Sequence, residues 1–419
     1  MELYRWALCF ATIAYQCEIV QPAARKLKRS ELMKELLKHY DKSVAPNFDD
    51  DEATEVLVNI LVGSIDSINE RTMDYDISIF LRQSWFDNRL KFGDLINDTM
   101  LTLDASIIKD LWVPDTFFTN EKSGHIHDIT LPNRLIRLYE DGRIYYSTRI
   151  SITLSCPMVL HKFPMDVQKC VLAIESFAFT EDRLVFKWAD ENSIEINPHL
   201  EFPQFDLIDA TATSGCQRNY STGRFSCLEV NFTLKRNVGF YVFQTYVPSC
   251  LIVMLSWVSF WIHVDAIPAR ISLGVITILA MITQTSGVQQ SLPRVSYVKA
   301  IDVWMSTCLL FVFTALLEFA IVNVYSRKEI KQRTKKISAS PSNDDTSVNV
   351  ISSGKENIAD NDIANNKEET KEVYITDPAG RVTARRIDSL SRQCFPGVFA
   401  IFNVVYWTVY CVVRDETFR

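Results

Sequence analysis

The sequence predicts an extracellular all-β sandwich joined to a bundle of four transmembrane helices. Three observations carry this expectation. Two close cysteine pairs lie in the hydrophilic first half, long apolar runs follow residue 239, and a basic cluster stands directly behind the third run.

At 419 residues the chain is too long for one ordinary domain, and its net charge of −7 gives no reason to expect nucleic acid as a partner. A mean hydropathy of +0.02 is high beside 23% charged residues, so the apolar residues must be clustered. Residues 6–15 form a mostly apolar run behind Arg5 and read as a secretory signal within residues 1–23, with cleavage between Cys17 and Ala24. Sequons follow at Asn97, Asn219 and Asn231, all inside residues 24–236, the span assigned to the outer domain.

Residues 29–40 have the spacing of a short amphipathic helix. From about residue 55 to 236 the pattern changes to short strands. Residues 56–68 and 75–81 alternate in part, and Asp141-Gly142 is a turn signal before the alternating stretch 143–154. Short strands at close spacing with turn residues between them predict a sandwich.

Of ten cysteines, Cys9 and Cys17 fall in or near the signal, while Cys250, Cys308, Cys394 and Cys411 fall in or beside the apolar runs. Cys156, Cys170, Cys216 and Cys227 remain, an even number in an oxidising compartment. Pairing neighbours, Cys156 with Cys170 and Cys216 with Cys227, is the simplest of the three connectivities. A zinc site is the rival, but the spacings are wide and no histidine pair accompanies them. No metal and no cofactor are expected.

Three spans are predicted within residues 237–326, at 240–262, 271–288 and 303–325. The fourth, 396–413, belongs to the segment 391–419 and is near the lower end of the roughly 17–25 residues a crossing needs. Arg327, Lys328, Lys331, Arg333, Lys335 and Lys336 place the end of the third span in the cytoplasm. Both termini then lie outside. Residues 327–390, rich in Ser, Asn, Asp, Lys and Glu, are expected to be a largely disordered cytoplasmic loop, with helix before Arg392.

The second span is not a plain anchor. Ser272, Ile276, Leu279 and Thr283 are spaced four, three and four apart and share one helical stripe, reading polar, apolar, apolar, polar. Several copies around an axis would make a wet pore with a hydrophobic constriction at Ile276 and Leu279. The alternative is that Ser and Thr only bond across packed helices. At the inner end, Pro268-Ala269-Arg270 contains no acid, so a ring of Arg270 would favour anions. The alternative is an ordinary arginine capping a span.

Ordered motifs cover nearly the whole chain beyond about residue 50. They include Trp112-Val113-Pro114-Asp115, the loop closed by Cys156 and Cys170 with Phe163-Pro164-Met165-Asp166 at its tip, Ser256-Trp257, Pro268-Ala269-Arg270 and Ser296-Tyr297-Val298-Lys299. This order resembles the Cys-loop, or pentameric, ligand-gated ion channels, and within them the branch of glycine receptor α subunits and glutamate-gated chloride channels. The pair Cys216 and Cys227 resembles the extra disulfide of that branch, and Pro268-Ala269-Arg270 its anion-selectivity element.

The resemblance implies a pentamer: five homologous subunits around a pore in a postsynaptic plasma membrane, with chloride as the ion and an amino-acid neurotransmitter as the ligand. Agonist would sit between adjacent outer domains. One face would supply Phe117, Glu175, Ser176, Phe177, Tyr220, Thr222 and Phe225, and the neighbour Phe80, Arg82 and Ser147. Arg82 can hold a carboxylate, and Glu175 with the aromatic faces an ammonium. Glycine is the first expectation, with glutamate and GABA as alternatives. Gly63 stands where glutamate-gated channels carry a further arginine, which counts against glutamate. Ile276 and Thr314 depart from the branch pattern, at positions where blockers and macrocyclic lactones act.

Coupling would run through Phe163, Pro164, Asp166, Arg236 and the linker of residues 292–299 ending at Lys299. The cross-class rival is a non-conducting, membrane-anchored binding protein. An enzyme has no support, since no triad, metal cluster or phosphate loop is present in the sequence.

Overall fold

The computed structural model describes residues 28–48, 52–93, 95–96, 98–189, 193–200, 203–327, 329–333, 372–376 and 378–412. The expectations for the signal, for Asn97, for most of the 327–390 segment and for the tail beyond 412 lie outside the described residues. The chain divides into two compact units, Met1–Phe243 with Gly287–Asp302, and Gln244–Ser286 with Val303–Arg419.

Among the described residues, the first unit opens on α1 (Arg29–Leu36), which tightens into a 3-10 turn at Leu37–His39. Twelve strands follow: β1 (Thr54–Asn69), β2 (Asp74–Phe86), β3 (Met100–Leu103), β4 (Thr116–Phe118), β5 (Glu121–Ile126), β6 (Arg134–Tyr139), β7 (Arg143–Ser155), β8 (Val167–Ser176), β9 (Leu184–Trp188), β10 (Ile194–Ile196), β11 (Phe205–Tyr220) and β12 (Gly223–Arg236). One sheet runs β10-β1-β2-β7-β6-β3, with β5 added on β7 and β9 on β1; the other runs β11-β12-β8-β4.

Alternation explains the layering. Val56, Val58, Ile60 and Val62 of β1 are buried, as are Leu228, Val230, Phe232 and Leu234 of β12. Each such side chain contributes roughly 1.5–3 kcal/mol of burial. Tyr75 of one sheet meets Phe232 of the other edge to face at 6.4 Å and donates its hydroxyl to the Val171 carbonyl at 3.0 Å. Gly142 is required where it stands: its φ is +87°, and a Cβ there would lie 2.6 Å from the Asp87 carbonyl oxygen. The disulfides Cys156–Cys170 and Cys216–Cys227 form as the simplest connectivity expects.

Among the described residues, four helices are long and apolar enough to cross a membrane: α2 (Gly239–Trp261), α3 (Ile267–Gln290), α4 (Ala300–Ser326) and α5, helical over Pro378–Trp407. In the second unit, Trp304 of α4 is the hub. It donates to the Ser249 hydroxyl at 2.8 Å and packs on Tyr246, Phe402 and Tyr406 at 4.9, 5.6 and 4.9 Å.

Two boundaries differ from the sequence expectation. The second span starts at Ile267, four residues before 271, because Pro268 falls in its first turn, where a missing N–H costs nothing. The fourth helix starts at Pro378 and contains Pro396 in its interior rather than beginning there. Buried Ala384, Asp388, Ser391, Phe399 and Tyr406 continue one packed stripe through the proline, and that packing outweighs its lost hydrogen bond. Residues 378–390 are therefore helical, the helix expected before Arg392, although the expectation for the 327–390 segment as a whole was a largely disordered loop. In the same segment Glu329–Arg333 pairs antiparallel with Glu372–Thr376.

Candidate functional site

The residues expected at an agonist site fall on the two different sheets. On the β11-β12-β8-β4 sheet, Glu175 of β8 is opposite Phe117 of β4 and Cys227 of β12. Its side chain is buried, and the Tyr220 hydroxyl donates to it at 3.3 Å. Phe177 stands above, 76% exposed, edge to face with Phe117 at 5.5 Å, so it is not core. Tyr220 and Phe225 meet at 5.8 Å in the hairpin, whose exposed tip holds Thr222. Acid and aromatics are thus brought together.

Ser176 does not join them. It is buried, donates to Asp115 at 2.7 Å and accepts from the Phe179 amide at 3.0 Å, so its hydroxyl holds the loop rather than facing a ligand. Arg218 is the residue that sequence reasoning missed here. Its guanidinium lies 3.9 Å from Glu175 and 2.9 Å from Glu229. Burial raises the Glu175 carboxyl above its ordinary value, while Arg218 and the Tyr220 hydroxyl pull it back.

On the other sheet, Arg82 of β2 is directly opposite Ser147 of β7 and Asn59 of β1. Phe80, two residues earlier, shares that face, and the Arg149 guanidinium lies over its ring at 5.8 Å. Arg82 donates to Glu195 at 2.7 Å and to the Asn59 amide oxygen at 3.0 Å. Gly63 lies at a β-bulge, where an added Cβ would stand 3.2 Å from the Ser78 carbonyl. Asn219 is exposed beside Tyr220, and the Asn231 side-chain amide donates to Thr213 at 3.3 Å.

The expected coupling residues also converge. Arg236, with no exposed side-chain surface, holds Asp166 through Nε–Oδ1 at 2.7 Å and Nη2–Oδ2 at 3.2 Å. It also pairs with Glu70 and is sandwiched by Phe163 and Phe205 at 4.6 and 4.4 Å. Phe163-Pro164 is a cis peptide in this loop. The Tyr297 hydroxyl accepts from the Leu160 amide at 3.0 Å, Tyr297 stacks on His161 at 4.1 Å, and the Ala300 amide donates to the His161 carbonyl at 2.9 Å. Lys299 turns instead to Asp302 at 3.0 Å, so the Tyr297 side chain and the Ala300 amide, not the lysine charge, meet the loop. Tyr297 falls within the expected linker of residues 292–299, whereas Glu70 and His161 were not expected at this junction.

Along α3, Pro268, Ala269, Ser272, Ile276, Leu279 and Thr283 are all exposed, whereas Arg270, Thr277 and Met281 are buried. Arg270 therefore does not share the stripe, which corrects the expectation of a guanidinium collar. It forms an ion pair with Asp388 of α5 at 2.7 Å and donates through Nε to the Ile262 carbonyl at 3.1 Å. The reason is angular: two residues separate it from Ser272, about 200° around the helix.

A family model described as the neurotransmitter-gated ion-channel ligand binding domain matches residues 29–238, and one described as the transmembrane region of the same channels matches residues 245–347. The chain belongs to the neurotransmitter-gated ion channels.

A channel of this family is a pentamer in a membrane, opened by a ligand. In such a channel subunit, the separation of Glu175 and Arg82 onto different sheets has a simple consequence. One protomer presents an acid-and-aromatic patch on one sheet and a separate arginine patch on the other. Sequence signals existed for some of what was missed. The two-residue offset of Arg270 from the stripe was readable. Asp388 and Glu195, 118 and 113 positions from their partners, were not.

Proposed function

We propose that this neurotransmitter-gated channel subunit conducts anions, chloride first, and opens to a small amino acid, with glycine ahead of glutamate and GABA. The observation that supports the agonist class is the pairing of chemistries. One patch holds a buried carboxylate under Phe177 and Tyr220, suited to an ammonium, and the other holds a partly exposed arginine beside Ser147, suited to a carboxylate.

Anion conduction is supported by α3 itself. Its 24 residues contain no Asp or Glu, so no carboxylate ring favours cations along the exposed stripe. The helix opens on exposed Pro268 and Ala269, and its N-terminal amides carry the positive end of the macrodipole. Arg270 is held by Asp388, so its charge is already paired and it adds no lining charge to this field.

The test is expression in oocytes with glycine, GABA, glutamate, β-alanine and biogenic amines applied in turn. The reversal potential is followed as external chloride is changed. A current to glycine that reverses with chloride is expected. Reversal that follows sodium overturns the anion assignment.

A further inference from the structure

Arg82, the guanidinium assigned to the agonist carboxylate, already has a carboxylate of its own chain. Glu195 comes from β10, three residues long and at the outer edge of its sheet, where it pairs parallel with β1 through Leu61↔Glu195. Glu195 Oε1 accepts from Arg82 Nη1 at 2.7 Å and from Asn59 Nδ2 at 3.3 Å. Asn59 in turn accepts from the same Nη1 at 3.0 Å.

Three features make this an occupant rather than a permanent strut. The bridge is one-pointed: only Nη1 of the guanidinium is engaged, and the Nε and Nη2 donors have no partner among the described residues. A free carboxylate can take the fork in two-point geometry, which is the stronger arrangement. Both side chains are partly exposed, at 24% for Arg82 and 39% for Glu195, so desolvation does not lock them together. Finally, Glu195 lines an open cavity of about 470 Å³ with Phe80, Gly63 and Ile196, so it has room to withdraw.

We propose that Glu195 is a resident stand-in for the agonist carboxylate on Arg82, and that it sets which ligands open the channel. It rests on the amino-acid reading above. A ligand whose carboxylate reaches the fork exchanges with Glu195. An amine without a carboxylate gains nothing at this pole, because Arg82 is already neutralised. The resident acid thus lowers the affinity for every carboxylate ligand and raises selectivity for those that bind in two-point fashion.

The experiment uses the full-length channel in oocytes and, in parallel, thermal denaturation of the purified full-length protein with the same probes. The probes are glycine, GABA and glutamate, with methylamine and propylamine as carboxylate-free counterparts. In Glu195→Gln, the concentration of carboxylate ligand needed for half response is expected to fall about three- to tenfold, up to ~1.4 kcal/mol. The amines should not shift, and Glu195→Asp should fall between. In an Arg82→Gln background the benefit of Glu195→Gln should vanish. Carboxylate ligands that act on the wild type but are indifferent to Glu195→Gln overturn the exchange and leave the amino-acid reading standing. Action by amines alone, or by no carboxylate ligand on either protein in either assay, overturns both.

Discussion

Arg270 of α3 and Asp388 of α5 form a two-point ion pair inside the helical unit, Nη2 to Oδ2 at 2.7 Å and Nη1 to Oδ1 at 3.1 Å. Both side chains are almost wholly buried, and Glu318 of α4 is a further buried acid interacting with them. The pair ties the first turn of α3 to the first third of α5.

Removing one member of such a pair leaves a buried, uncompensated charge, which costs about 3–5 kcal/mol. Asp388→Asn is therefore expected to reduce surface expression and lower the denaturation temperature of the purified channel. The double change Arg270→Gln with Asp388→Asn should recover part of the loss. An Asp388→Asn channel as stable as the wild type would show that Ile262 and Glu318 suffice for Arg270.

Asp166 and Arg236 are predicted to carry gating rather than assembly. Asp166→Ala should raise the agonist concentration required about tenfold, ~1.4 kcal/mol of coupling, with the channel still at the surface. Glu70→Gln should act in the same direction but less, since Arg236 keeps both Asp166 contacts. Arg236→Lys should not rescue, because an ammonium cannot make the fork or lie flat between Phe163 and Phe205. Concentration–response curves beside surface biotinylation check this. Normal gating in Asp166→Ala would remove the loop from the route.

Much of the fold was legible because it depends on local periodicity. The alternation over 56–68 and 143–154 and the Asp141-Gly142 turn sit where β1, β7 and their turn form. The apolar runs gave the spans, but not their ends: the second reads as starting at 271 and the fourth at Pro396, whereas the helices start at Ile267 and Pro378. Within the candidate site, aromatics and first charges were readable, whereas their counter-charges were not. Arg218, Glu195 and Asp388 are ordinary surface-type residues until β-pairing and helix packing bring them to Glu175, Arg82 and Arg270.

Acid should weaken agonist binding through Glu175. Burial is the largest cause of its raised value, with Arg218 and Tyr220 opposing it, and Glu229 shares the same arginine. A carboxyl raised in the folded state favours its neutral form. At this group the folded chain is relatively most stable below the ordinary carboxyl value of about 4.3, and that advantage is lost as pH rises through the raised value. An ammonium needs the ionised form, so affinity should fall as pH drops through that same range. Arg218→Gln removes an opposing positive charge and should move the loss to higher pH, whereas Glu175→Gln should be flat. Agonist titrations carried from neutral pH down to about 4.3 measure this, and a wild-type profile identical to that of Glu175→Gln would exclude Glu175 from ammonium binding.

The exposed face of α3 makes the sharpest prediction about the ion path. Taking Ser272 as origin and ~100° per residue, Ile276, Leu279 and Thr283 fall at about +40°, −20° and +20°, while Thr277 and Met281 fall at about 140° and 180°. Ile276 and Leu279 are 61% and 60% exposed in the protomer, against 1% and 0% for Thr277 and Met281. On a membrane-spanning helix, a face this exposed in the protomer meets lipid, a neighbouring subunit or the water column, and only the last admits a water-borne reagent. Ser272→Cys, Leu279→Cys and Thr283→Cys should each react with a water-borne, charged thiol reagent and change the agonist-evoked current. Thr277→Cys and Met281→Cys should not react, because both positions are buried within the protomer. With Cys394→Ser and Cys411→Ser as background, the exposed native thiols cannot account for a signal. Reaction at 277 and 281 with silence at 272, 279 and 283 would place the water on the opposite side of the helix and remove this stripe from the conduction path.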